Sequence, residues 1–354
     1  MKKLINILLT VSLLISCSDG NIKENKEFFV FEPDIRLFTT YAFMNAAGFS
    51  HDWNEKMHPI RIEIRNYLDT VLDNDYKNKI GDYYNKLGGG DFYGYGAFAL
   101  NTGFPLDFEI ICDTCENEYL KKFNGYDTIL QDFYKKAKIV RLWQLYKDRL
   151  EEINLQYKPY AEIALKQITK YCRVDSNYYQ NIAGHFHYQQ IPLMSHFTAF
   201  FNESGNDYWV ISGPSTGEPG PSSFYHESLH RIINPIVEDN SELNKRIKDL
   251  IPLSQEKLKG DYNSETAVLC ESFVRTIDKI LSAQYYKSSD DDLYKMIENE
   301  YKLGHILSFY LLENLPKYEY SSKTLKDYYP ALITNINIDF ERNRWIEYWG
   351  NKKQ

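Results

Sequence analysis

A chain of 354 residues can form one large domain or two closely packed lobes around a sizeable buried core. Its 41 basic residues stand against 49 acidic ones, a formal net charge of -8, which argues against phosphate backbones as the main partner and sets nucleic-acid binding aside. Aromatic residues make up 16%, with 30 tyrosines; such rings suit half-buried surfaces and ligand-facing clefts without naming a ligand.

At the N-terminus, Lys2 and Lys3 precede an apolar run over residues 4–15 that is too short to span a bilayer and ends in Leu14-Ile15-Ser16-Cys17. Residues 1–17 read as a secretion signal whose end resembles the lipobox of bacterial lipoproteins, where the cysteine is lipidated and becomes the mature N-terminus. That resemblance makes Cys17 the lipidation site, residues 18–27 a tether, and the cell envelope the location, with the lipid as the membrane partner. The fold is expected to start near Phe28.

Residues 28–190 read as mainly helical. Ile35, Phe38, Tyr41, Ala42 and Ala46 recur at helical spacing, and a second stripe of Ile60, Ile64, Leu68, Val71 and Leu72 follows His58-Pro59. The glycine-rich stretch over residues 88–97 reads as a loop. Its Gly94-x-Gly96-x-x-Ala99 fits a dinucleotide fingerprint only in its letters, since no apolar strand precedes it and aromatic residues fill the positions where backbone would approach a pyrophosphate. Cys112-Asp-Thr-Cys115 could close as a local disulfide, exchange electrons or supply half a metal site; with no second pair, these two cysteines and Cys172 and Cys270 are read as structural. Residues 139–171 form a long helical stripe that Pro159 should kink. The texture then changes near Ile191. Two apolar runs, residues 196–201 and 208–211, flank a turn-rich segment and predict a β-hairpin. A loop rich in Gly, Pro and Ser follows, and helical patterns resume to the C-terminus.

That loop leads into His226-Glu227-Ser228-Leu229-His230. On a helix, positions i and i+4 share a face, so His226 and His230 can offer two imidazole nitrogens to one zinc ion. Glu227 beside them can take a proton from a metal-activated water and deliver it to a leaving amine, as hydrolysis of a peptide bond requires. Ser222 or Ser223 is the expected N-cap, and Pro235 the expected end of the helix. Three fixed letters arise by chance in roughly one such chain in a hundred, so a third ligand and context matter. The apolar neighbours Phe224, Leu229, Ile232 and Ile233 mark a substantially buried helix, where ionisable groups are costly unless employed.

A third histidine in the metzincin manner would need Gly at position 233 and His at position 236, and the chain has Ile233 and Ile236. The other common arrangement takes a glutamate from a later helix. Glu271, among Ala267, Val268, Phe273, Val274 and Ile277, is the expected third metal ligand. A competing reading makes it an i, i+4 ion pair with Arg275 on a solvated face; alternatively, Arg275 orients the ligand carboxylate from outside the metal's ligand shell. His185, His187 and His196 are further possible ligands.

These features resemble the gluzincin branch of the zincin metallopeptidases over residues 191–281. The chain is also similar to a family of secreted bacterial lipoproteins with a predicted zincin site, matched on His226-Glu227-x-x-His230 with Asn234-Pro235 and on Glu271-x-x-x-Arg275. The resemblance implies an α+β, mainly helical fold in which residues 191–354 form a zincin-like core with a small sheet or hairpin, an active-site helix and a C-terminal helical lobe. It implies a zinc-dependent hydrolase, a peptidase acting on peptides or proteins, with Glu227 as general base. One hairpin strand, 196–201 or 208–211, would run along the cleft and pair with an extended substrate. Tyr285, Tyr286 and His305 are the candidates for stabilising an oxyanion. One departure stands out: thermolysin-like enzymes carry an acidic residue four positions after the ligand glutamate, where this chain has Arg275. The rival class is a lipid-anchored protein that captures peptides or glycans on the same scaffold without turnover.

Overall fold

The structure, a computed structural model, describes residues 28–50, 57–111, 118–196, 198–214, 218–258 and 262–350. Cys17 with its signal and tether, and Cys112 and Cys115, lie outside the described residues.

The chain opens with a two-residue strand, β1 (Phe29–Val30), and then turns helical: α1 (Ile35–Ala46), α2 (Pro59–Val71), α3 (Asn74–Lys86), α4 (Phe92–Leu100), the single turn α5 (Glu118–Lys121), α6 (Tyr126–Lys136) and the long α7 (Ile139–Cys172). A short α8 (Tyr178–Ile182) leads to three strands, β2 (Phe186–Gln190), β3 (Ala199–Ser204) and β4 (Asp207–Ser212). The rest is helical: α9 (Ser222–Glu238), α10 (Ser241–Asn244), a 3-10 turn (Lys245–Leu250), α11 (Ile251–Gln255), α12 (Glu265–Tyr286), α13 (Asp290–Leu303), α14 (Ser308–Glu319), α15 (Leu325–Thr334) and α16 (Ile338–Gly350). The protein is α+β and mainly helical. No helix among the described residues is long and apolar enough to cross a membrane.

The four strands form one sheet in the order β1-β2-β4-β3, with β1, β2 and β4 parallel and β3 antiparallel to β4. The hairpin turns at Gly205-Asn206, where Gly205 has φ +58, the left-handed backbone that a two-residue turn demands. The sheet draws strands from both sides of position 191. β1 and β2 had no clear sequence signal, because β1 has two residues and β2 interleaves His, Gln and aromatic residues instead of a plain apolar alternation.

The sheet lies between two apolar cores. Phe186, Tyr188, Tyr208 and Val210 face a core built with the second half of α7 and the C-terminal helices. Trp209, Ile211 and Phe200 face the other, built with α1 to α6. Strand alternation places these sets on opposite faces. Both faces are covered, and the layered arrangement holds β3 at the rim.

The segment over residues 88–97, read as a loop, is in fact a loop only to Asp91. Asp91 caps α4 by accepting from the Gly94 N–H at 2.9 Å, and α4 is almost wholly buried. Gly96 explains the glycine content: a Cβ there would lie 2.5 Å from Phe200 Cζ and 2.8 Å from the Tyr41 hydroxyl, so the missing side chain lets α4 lie directly on β3. Gly96→Ala should therefore lower stability by about 1–3 kcal/mol through overpacking, against the gain of roughly 1 kcal/mol that alanine brings to a helix interior. A urea or thermal melt reads the sign.

Candidate metal centre

Two expectations about α9 are corrected. Its N-cap is Pro221, without a side-chain cap, and Ser222 and Ser223 lie inside the first turn. Ser223 instead pairs with the Tyr188 hydroxyl at 2.6 Å, beneath the Tyr188 and Phe224 rings stacked 3.6 Å apart; this locks the start of α9 to β2. Pro235 does not end the helix, which continues to Glu238. A proline at position 235 removes the donor that Arg231 O would accept, and the Tyr178 hydroxyl supplies it at 3.0 Å. Tyr179 and Tyr208 likewise donate to Ser228 O and Glu227 O, each at 2.8 Å. Part of the tyrosine surplus is thus spent on pinning the helix that carries the motif.

His226 Nε2 and His230 Nε2 lie 3.4 Å apart on one face of α9. Glu271, from the adjacent α12, brings its Oε1 to 3.4 Å from His230 Nε2, and Glu227 Oε1 lies 3.9 Å from His226 Nε2. Two atoms each ~2.0–2.1 Å from a tetrahedral zinc ion are about 3.3–3.4 Å apart. The His226–His230 and His230–Glu271 separations match that edge, while the group here whose ligand atoms all lie within 4.8 Å of one another is His226, Glu227 and His230, so the two imidazoles fit a zinc ion with a carboxylate on either side. His230 Nδ1 meets Asn234 Oδ1 at 3.1 Å, the kind of outer hydrogen bond that fixes a ligating imidazole.

Burial governs the protonation states. It is the largest cause holding His226 well below the usual histidine range, helped by His230 and Arg275. Burial also lowers His230 against the opposing pull of Glu271. Both imidazoles are therefore neutral, the form that binds metals. Burial, then the Glu271 carboxylate, pushes Glu227 up to about 8, while a hydrogen bond from the Phe201 main chain works in the other direction.

Glu271 is also paired with Arg275, through Oε2 and Nε at 2.8 Å, but the pair does not lie on a solvated face. Arg275 is mostly buried and its Nη1 reaches Glu300 Oε2 at 3.2 Å. Glu300 in turn meets Lys279, which pairs with Asp278 at 2.8 Å. Burial pulls the Arg275 guanidinium down, yet Glu271 and Glu300 outweigh it and raise it overall. The sequence pointed to Arg275 alone. Asp278 and Lys279 repeat the helical spacing from Glu271 and could have been found that way; Glu300 comes from α13 and carried no such signal.

A cleft runs past Glu227 on both sides. One side, a cavity of about 440 Å³, is polar, with His196, Ser212, Ser222, Asp278 and Lys279 in its wall. The other, about 550 Å³, is aromatic, with Phe92, Tyr93, Phe200, Phe201 and Tyr262. Ala199, His226, Glu227 and Arg275 border both. Of the two hairpin strands expected to line the cleft, β3 does so: it is an edge strand whose Ala199, Phe200 and Phe201 border the cavities, whereas residues 208–211 lie in β4, between β2 and β3. Tyr286 reaches the polar cavity. Tyr285 packs against Tyr160 and Tyr286, and His305 is 2% exposed, held down to about 3 by burial, Arg275 and Lys279. Neither Tyr285 nor His305 lines these two cavities. His185 and His187 stand on the opposite sheet face from α9 and are not brought to this centre.

No family model matches the sequence, and no match was found among curated proteins or solved structures.

Proposed function

We propose that the chain is a zinc-dependent hydrolase of the gluzincin kind, a peptidase, with His226, His230 and Glu271 as metal ligands and Glu227 as general base. The observation that carries this reading is the pair of 3.4 Å separations linking the two imidazoles and the Glu271 carboxylate, beside a fourth group, the buried carboxyl of Glu227. Bound there, zinc would polarise a substrate carbonyl and acidify a water.

The chain's own residues supply the rest. Glu227 would take a proton from the attacking water and return it to the departing amine; burial pushes its carboxyl group up, so it can hold a proton near neutral pH, and a bound cation would pull it back down. Arg275 fixes the Glu271 carboxylate by its second oxygen. β3, at the edge of the sheet beside β4, would take an extended substrate as a further strand, with one neighbouring side chain in the aromatic cavity and another in the polar one. Tyr286 is the oxyanion candidate that the geometry favours. Anchoring in the cell envelope through Cys17 completes the proposal.

A digest of a mixture of unstructured peptides tests it. Zinc-loaded protein is expected to cut at bonds with an aromatic or large apolar residue on one side, and a chelator followed by added zinc should abolish and restore cleavage. Binding of peptides without cleavage in the zinc-loaded form would favour the capture protein instead.

A further inference from the structure

We propose a second metal site, at the start of β2 and β4, in which His185, His187 and Asp207 hold a first-row transition ion of the zinc, cobalt or nickel class. One ligand atom from each of the three lies within 4.8 Å of the others. His185 Nδ1 is 3.0 Å from Asp207 Oδ1 and His187 Nε2 is 3.0 Å from Asp207 Oδ2. Two imidazoles and one carboxylate suit zinc-like ions, whereas magnesium and calcium favour oxygen throughout.

The cluster is built on rigid elements. His185 and His187 alternate onto one face of the sheet, and the parallel register sets His187 opposite Trp209 and Phe186 opposite Tyr208. Asp207 therefore stands level with His185. The His187 ring is stacked on the Trp209 ring at 3.7 Å and 6°, which fixes its plane, and the His185 main-chain N–H donates to Asp207 Oδ1 at 3.0 Å, which fixes the carboxylate. All three residues remain partly exposed, so an ion has an entry path and open coordination positions for water. Arg36, over the Trp209 ring, is paired with Asp34 at 2.7 Å and does not leave an uncompensated positive charge beside the site. An ion here would tie β2 to β4, the strand on which the edge strand β3 is paired. The inference is independent of the proposed catalytic centre, which lies across the sheet.

The test is a calorimetric titration of zinc, and separately cobalt, into tag-free full-length protein carrying His226→Ala and His230→Ala. One ion per chain is expected, with a rise in melting temperature. Adding His185→Ala and His187→Ala should weaken that event by at least about tenfold, the lower end of what losing even an outer-shell partner costs. Absence of binding in the first variant, or unchanged binding in the second, overturns the proposal. Should the fourfold variant fail to fold by circular dichroism, His185→Ala alone decides by the same criterion, since its ring is partly exposed and does not stack on Trp209.

Discussion

Glu227→Ala should lower kcat/KM for peptide cleavage by about 10²–10⁴-fold, the usual contribution of a positioned acid–base group, and leave the zinc content equal to that of the unsubstituted chain. The same variant should be more stable than the parent when both are stripped of metal. A carboxyl whose folded pKa is raised, here to about 8 from 4.5, favours the folded state less and less as pH climbs from the unfolded value towards the folded one. The stability gained by removing it should therefore be near zero below pH 4.5, grow through pH 5 to 8, and level off above. Thermal melts of chelator-treated protein across that range check the sign; a gain largest at acid pH would contradict it.

Glu271→Ala carries the second large effect. As a ligand, Glu271 should be worth at least the upper part of the ~10–100-fold that outer-shell partners contribute to metal affinity, so zinc binding at this centre should fall by more than that and hydrolysis with it. Breaking a buried ion pair costs roughly 3–5 kcal/mol. Here Arg275 keeps Glu300, so the loss of stability should fall below that range. If Glu271 merely made a helical ion pair, the variant would lose only ~0.2–0.5 kcal/mol and keep its zinc. Competition with a chromophoric chelator separates the two outcomes.

How much of this was legible beforehand depended on the range of the interactions. The motif on α9 could be read because i, i+4 spacing is local, and Glu271 because its apolar surroundings on α12 made an isolated acid conspicuous. The hairpin was readable from two apolar runs around Gly205-Asn206. Helix boundaries were not: Pro235 breaks a helix only if nothing replaces the lost donor, and the replacement is Tyr178, 57 positions earlier in the chain. The buried α4 was missed because glycines that elsewhere mark a loop here allow close contact with Phe200 and Tyr41. The aromatic wall of the cleft, with Phe92 and Tyr93 brought to β3 from the N-terminal half, and the support that Glu300 gives Arg275 are tertiary facts without a sequence period. The same holds for His185, His187 and Asp207, whose meeting depends on the register of β2 against β4.

The most direct measurement is anomalous X-ray scattering above and below the zinc edge from crystals of the full chain grown with zinc. A peak ~2.0–2.2 Å from His226 Nε2, His230 Nε2 and a Glu271 oxygen, with Glu227 beside it and not bound to it, is the predicted result. No peak at that position, or one from which Glu271 stands apart while still paired with Arg275, would contradict the account.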